Sequence, residues 1–269
     1  MNSRPTIVRA PALADWLLAH GISSLTTHEV AGYLAVPDDQ VRRRVQAPRQ
    51  RGQWVSPAHG LWIPVPPEYR TWGAPPGIEI IDILMHHLEA GYYVGWLSAA
   101  ELHGAAHQAP QVLQVATSRQ VRARQVGRSH FEFQIRDRLQ GLPTIAWPTR
   151  SGSARVATAE LTMLDVASDI QLAGGVDNVA TVLIELAENE RFDVAGLTEL
   201  SARFPVAPVR RVGWVLENLA GLDTMDRLHE SVASRTATPS ILDPLGSRTG
   251  AVDRRWKLRV NRDVEHESW

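Results

Sequence analysis

The chain has 269 residues, of which 44% are hydrophobic, and a formal net charge of -1. That length exceeds the usual single compact domain, and the composition is ordinary for a protein that buries a core, so two domains are the natural expectation. The absence of cysteine excludes disulfide staples, Cys-ligated zinc and thiol catalysis, and fits a reducing compartment. No stretch approaches the roughly 20 apolar residues that span a bilayer. Met1-Asn2-Ser3-Arg4-Pro5 is not followed by a signal-peptide-length apolar run, so a cytoplasmic protein with no membrane partner is expected. The near-zero net charge hides segregation: residues 40–62 hold five arginines and no acid, whereas residues 156–200 hold nine acids and one arginine. The two regions call for different partners.

Residues 11–20 place Leu13, Trp16, Leu17 and Leu18 at helical spacing and stop at Gly21. Thr26 or Thr27 caps a second helix, with Val30, Ala31 and Leu34 on one face and Glu29 in its first turn. Pro37 starts a third helix carrying Asp38 and Asp39 in its first turn, so about two residues separate the pair, as in a helix-turn-helix. On a 100° wheel Val41 and Val45 point inward. Gln40, Arg43, Gln46 and Gln50 then face outward, flanked by Arg42, Arg44 and Arg49. Arginine reads guanine and glutamine reads adenine through paired hydrogen bonds, while flanking guanidinium groups neutralise phosphates. Pro48 cannot continue a regular helix, which must end or kink there. Trp54-Val55 and Leu61-Trp62-Ile63, joined by 56–60, form the expected wing hairpin, stopped by Pro64-Val65-Pro66-Pro67.

The DNA-binding set is therefore Thr27, His28, Gln40, Arg42, Arg43, Arg44, Gln46, Arg49, Arg51 and His59. Gln40, Arg43 and Gln46 are assigned to bases, Arg42, Arg44, Arg49 and Arg51 to phosphates, and His59 to a wing contact. An isolated arginine run is most often a solvated face; here helix order, turn length and the following hairpin agree on DNA.

The Pro-rich stretch 64–76 marks a boundary between a winged helix-turn-helix at 1–70 and a second domain at 77–230, with a tail at 231–269. Residues 78–90 form an amphipathic helix, and a further helix runs from Leu97 to His103 behind a Ser98 cap. Val112 to Thr117 and Phe131 to Ile135 alternate as strands around a loop holding Arg119, Arg122, Arg124 and Arg128, and Thr144 to Trp147 adds a short one. That basic loop reads equally as a second phosphate contact or as a solvated hairpin. Helices follow at Thr158 to Asp169, Val176 to Leu186 and Val212 to Leu219. The tail either lies over the domain or orders on a partner. The fold class is α+β.

Several segments carry a family likeness: the head, Tyr93-Val94-Gly95-Trp96-Leu97-Ser98-Ala99-Ala100-Glu101-Leu102-His103-Gly104, the strand Gln114-Val115-Ala116-Thr117, and Ala157-Thr158-Ala159-Glu160-Leu161-Thr162-Met163-Leu164-Asp165. With these pieces in order over residues 10–190, the chain resembles the AbiEi family of antitoxins, which partner AbiEii-type nucleotidyltransferase toxins in toxin-antitoxin systems. The family often has Arg where this chain has Leu161. The resemblance implies an antitoxin domain at 77–230 that neutralises the toxin directly or through its targets, and autoregulation by repression of its own operon. The expected operator is an inverted repeat bound by two copies of a monomer or weak dimer. The alternative is a stand-alone winged-helix regulator whose second domain senses a ligand or a protein.

No catalytic set, cofactor or metal is expected. His103 and His107 lack a His-Glu-x-x-His context, and Gly152-Ser153-Ala154-Arg155 lacks the Asp-x-Asp pair of a nucleotidyltransferase. Gly174-Gly175 stands without a phosphate-loop pattern, and no triad is readable from order alone. Asp165 and Asp169 read as a solvated face or buried cap before a cation clasp. The acidic stretch, represented by Asp165, Asp169, Glu185 and Glu188, is equally an exposed helical face or a docking surface for a basic toxin.

Overall fold

The computed structural model describes residues 7–105, 112–190 and 192–265. It is a mixed α+β protein that divides into two compact units. One is drawn from Met1–Tyr92, Gln111–Leu139 and Ala146–Arg155, the other from Tyr93–Pro110, Gln140–Ile145 and Val156–Trp269.

In the first unit, α1 (Ala10–Ala19), β1 (Leu25–Thr26), α2 (Thr27–Leu34), α3 (Asp38–Arg44), α4 (Gln46–Gln50), β2 (Trp54–Val55) and β3 (Leu61–Pro64) follow one another. The start of α2 is a capping box: the Glu29 N–H donates to Thr26 Oγ1 and the Thr26 N–H donates to Glu29 Oε2 at 2.7 Å. Pro37 is the N-cap of α3 and not its first residue. Leu13, Leu17, Leu25, Val30, Val41, Val45, Trp54 and Trp62 form the core of this part, so the inward valines of α3 are where their spacing puts them. β3 takes β2 on one side and β1 on the other, both antiparallel, with Trp54 opposite Pro64 and Leu25 opposite Trp62. The β1 pairing has no sequence signal, because two residues cannot display an alternation.

The third helix breaks earlier than Pro48. Val45 leaves helical geometry at φ -91°, ψ 2°, and a separate short α4 begins with Gln46. Proline lacks the N–H that would bond four residues back, so the break falls one turn before it, and buried Pro48 sits in the first turn of the new helix. Gln46, Arg49 and Gln50 therefore do not continue the wheel of α3.

The Pro-rich stretch carries a 3-10 helix, Pro67–Trp72, and then α5 (Gly77–His87). Of the two adjacent histidines in α5, His86 is exposed and His87 donates through Nε2 to the His59 carbonyl at 2.9 Å. β5 (Val112–Thr117), β6 (Arg124–Val126) and β7 (Ser129–Ile135) lie together, β5 parallel to β7 with Val112 opposite His130, and β6 antiparallel to β7. The expected loop between strands is thus partly a strand itself. β8 (Thr144–Thr149) and β9 (Gly152–Ala157) are neighbours, and β9 contains Gly152-Ser153-Ala154-Arg155.

In the second unit, β4 (Tyr92–Val94) and β9 pair in parallel at Val94 and Val156. The helices are α6 (Trp96–Leu102), α7 (Ala159–Ser168), α8 (Val176–Glu188), α9 (Val194–Ser201), α10 (Val206–Asn218) and α11 (Asp226–Ala233). Helix α6 starts two residues before the expected cap: Gly95 is its N-cap, and Ser98 is buried inside it. Helix α7 touches α6, α8, α9 and α10, and every residue from Ala159 to Ala167 is buried. A helix buried all round leaves no solvated stripe.

The tail is part of this unit. β12 (Leu258–Val260) pairs in parallel with β10 (Ser240–Ile241) and antiparallel with β11 (Ala251–Asp253), and β10 and β12 both contact α10. Gly213 on α10 makes the docking possible: a Cβ there would lie 2.1 Å from Trp256 Cη2. The Trp256 indole N–H donates to Glu217 Oε2 at 2.5 Å.

Candidate functional site

Helix α3 is short and held to the core only by Val41 and the Val45 that follows it, so most of its surface is open. Arg42, Arg43 and Arg44 are exposed and Gln40 is half-buried. Gln46, Arg49 and Arg51 are exposed on and after α4, and Arg51 Nη2 donates to Gln53 Oε1 at 3.4 Å. At the start of α2, the half-buried Thr27 accepts through Oγ1 from Trp62 Nε1 at 3.0 Å, a contact that locks α2 to β3. His28 is exposed, with Nδ1 3.3 Å from Asp38 Oδ1. His59 is exposed in the β2–β3 connection. Arg42, Arg43 and Arg44 are thus exposed on α3, while Thr27 Oγ1 is engaged by Trp62.

An open cleft of about 570 Å³ lies behind α4, lined by Arg49, Arg51, Trp54, Arg70, Thr71 and Trp72 among others. Arg70 is ion-paired with Asp15 and donates through Nε to the Val65 carbonyl. A second cavity of about 310 Å³ is mostly apolar. Leu18, Ile22, Ile63, Ile80 and Ile83 line it, with Tyr69, Glu79 and Arg150 at its polar side. Arg150 stacks over Tyr69 at 5.4 Å and pairs with Glu68, whose carboxyl is held below the usual range first by a backbone hydrogen bond and then by Arg150.

In the second unit the acidic residues meet different fates. Asp165 is fully buried and accepts from the Tyr93 hydroxyl at 3.3 Å. Asp169 is half-buried and accepts from the Trp96 indole N–H at 2.9 Å. These aspartates hold the segment in which Trp96 adopts a left-handed φ of 48°, and Gly95 leaves room for Asp165, whose Oδ2 lies 2.9 Å from where a Cβ would be. Glu185 is half-buried and Glu188 exposed. Asp165 is thus an interior group, enclosed because α7 has no free face. The Asp165 and Asp169 carboxylates are directed to Tyr93 and Trp96, which spacing alone did not reveal.

His103 shares its contacts with backbone: its ring Nε2 lies 2.8 Å from the Ala157 carbonyl, and its own carbonyl accepts from Asn189. His107 lies outside the described residues. Among the described residues no group of three or more His, Asp or Glu is arranged to hold a metal ion. No helix of the described residues is long and apolar enough to cross a membrane.

Sequence reasoning missed Arg210 and Arg211 altogether. Both are buried on α10. Arg210 donates to the carbonyls of Thr236 and Thr238 at 2.7 Å, and Arg211 to those of Ile241, Leu242 and Ala167 at 2.9–3.0 Å. Desolvation pushes the Arg211 pKa down to about 10, opposed by nearby Asp243, so the group stays charged at neutral pH. A run of two arginines amid Val209, Val212 and Trp214 was the available signal.

The class the fold defines is α+β. Within it, residues 93–218 match the family described as the AbiEi antitoxin C-terminal domain. Comparison with curated proteins found no match. Among solved structures the chain is similar to the RV2827C protein from Mycobacterium tuberculosis, with 15% identity and a TM-score of 0.66, covering 95% of this chain and 92% of that one. At that identity the likeness shows the fold.

Proposed function

We propose that the protein is the antitoxin of a toxin-antitoxin system and represses its own operon. The match of residues 93–218 to the AbiEi antitoxin C-terminal domain carries this reading. In it, the first seventy residues act as a winged helix-turn-helix. Helix α3 enters the major groove with Gln40 and Arg43 toward base edges, joined by Gln46. Arg42, Arg44, Arg49 and Arg51 neutralise phosphates, His28 and His59 flank them, and the operator is an inverted repeat. The exposure of Arg42, Arg43 and Arg44 on α3 supports this assignment. Thr27 contributes by fixing α2. The partner of the second unit is a nucleotidyltransferase toxin or its targets, with Glu188 on the accessible part of the acidic surface. The protein acts in the cytoplasm, without catalysis or cofactor.

The test is binding to a labelled fragment of the protein's own upstream region over a salt series, for the wild type and Arg42/Arg43/Arg44→Ala. Competitor-resistant, salt-sensitive binding that the triple variant loses is expected. Absence of specific binding by the wild type would overturn the repressor half. Co-expression with the toxin encoded beside it tests the other half, and unrelieved growth arrest would overturn it. The apolar cavity of about 310 Å³ favours one second reading, a regulator that senses a small ligand. That reading requires no neighbouring toxin gene.

A further inference from the structure

Two arginine-rich segments are well separated in the chain: 40–62, with five arginines and no acid, and 112–131, with four arginines and no acid. The structure brings both into the first compact unit. The β6–β7 hairpin is fixed there at three points. Arg124, half-buried, donates through Nη1 to the Pro57 carbonyl in the β2–β3 connection at 3.0 Å, with its guanidinium 5.7 Å from the Phe133 ring. Gly127, at φ +59°, turns the hairpin so tightly against residues 72–74 that a Cβ would lie 2.7 Å from the Trp72 carbonyl oxygen and 2.8 Å from Ala74. Beyond it the Arg128 guanidinium lies over the Trp72 indole at 5.5 Å.

Trp72 is 43% exposed, unusual for so large an apolar ring, and it also lines the open cleft that holds Arg49 and Arg51. One indole thus has Arg128 on its ring and lines the same cleft as Arg49 of α4 and Arg51 just after it. Trp54 lines the same cleft, and its buried indole N–H has no hydrogen-bond partner among the described residues. Arg122 and Arg128 are exposed. Arg124 is an anchor, and Arg119 is bonded to the Leu88 carbonyl. Asp15 pairs with Arg70, Glu68 of the 3-10 helix pairs with Arg150, and Glu132 is exposed further along β7. A hairpin that served only solubility would not need three fixings against the wing connection and the 3-10 helix.

We propose that the β6–β7 hairpin is a second phosphate-binding element. Arg122 and Arg128, with Arg49 and Arg51 of the cleft that Trp72 also lines, hold the sugar-phosphate backbone of duplex DNA outside the bases read by α3. The proposal rests on the DNA-binding reading above and extends its footprint. Contacts of this kind carry no sequence information but fix register and add to salt dependence.

The experiment compares the full-length wild type with Arg122→Ala/Arg128→Ala and Arg122→Lys/Arg128→Lys on the same upstream fragment, reading the slope of log K against log salt. Two lost phosphate contacts at about 0.9 each lower the slope by about 1.8. The alanine variant should show that drop with unchanged preference for the operator over scrambled DNA, and the lysine variant should restore the slope. An unchanged slope in an alanine variant that still binds the operator overturns the hairpin contact and leaves the reading of α3 intact. A change in base preference instead of slope also overturns it. If the wild type shows no specific, salt-sensitive binding, the DNA reading fails, and this proposal with it.

Discussion

Two arginine runs in this protein have opposite fates. Arg42, Arg43 and Arg44 project from a seven-residue helix that buries only Val41, whereas Arg210 and Arg211 are enclosed on a thirteen-residue helix whose positions 208–216 are all buried. The difference lies in what arrives from elsewhere. Carbonyls of Thr236, Thr238, Ile241 and Leu242 reach the α10 pair from the tail, and each guanidinium satisfies them with charge-assisted hydrogen bonds. Among the described residues no carbonyl of that kind reaches Arg42, Arg43 or Arg44, and all three guanidinium-bearing side chains stay exposed. An arginine run is a surface only when no other segment needs its donors.

The comparison is broken most forcefully at Arg210. Replacing it with Ala strips the Thr236 and Thr238 carbonyls of their donor and should cost about 3 to 4 kcal/mol in urea unfolding. A cost below about 1 kcal/mol would mean that water replaces the guanidinium and that the clamp is not structural. Gly213→Ala should follow at about 2 to 3 kcal/mol, because the added methyl meets the buried Trp256 ring and must push the tail from α10. A loss of Trp256 burial by hydrogen exchange around 251–260 would sharpen that picture.

On the first unit, Thr26→Ala removes one side of the capping box of α2 and should lower stability by about 1 kcal/mol. It should leave the salt slope of DNA binding unchanged. The smallest stability effect belongs to Arg42/Arg43/Arg44→Ala, within about 0.5 kcal/mol per site, since exposed groups with few contacts contribute little to folding. The same variant should lose operator binding altogether. A large stability loss there would place these arginines with Arg210, as structural groups.

Part of the candidate site was legible in the residues. The buried pair Val41 and Val45 and the strand residues 54–55 and 61–63 are where period and turn chemistry place them, but β3 runs on to Pro64, which pairs with Trp54 where the proline run was expected to stop the ladder, and Gln40, expected outward, is half-buried. The break at Val45 was not legible, because Pro48 states that a helix cannot pass but not which residue yields. For Asp165 the residues left a solvated face and a buried cap both open, and only the neighbours that cover every face of α7 decide for enclosure. The arginine loop 119–128 could be weighed only as surface or contact, and its fixing to Pro57 and Trp72 lies beyond any local signal.

What the sequence by itself determined was local or compositional: the α+β class, a helix start at Thr26 or Thr27 with Glu29 in its first turn, the segregation of arginine from acid, and the absence of thiol chemistry. Tertiary structure alone decided which charges face water, how the tail folds onto α10, and that the β6–β7 hairpin is tied to the β2–β3 connection. The physical reason is range. Capping and periodicity act within a turn or two of backbone, whereas desolvating an arginine depends on hydrogen-bond acceptors that approach from about thirty residues away or more.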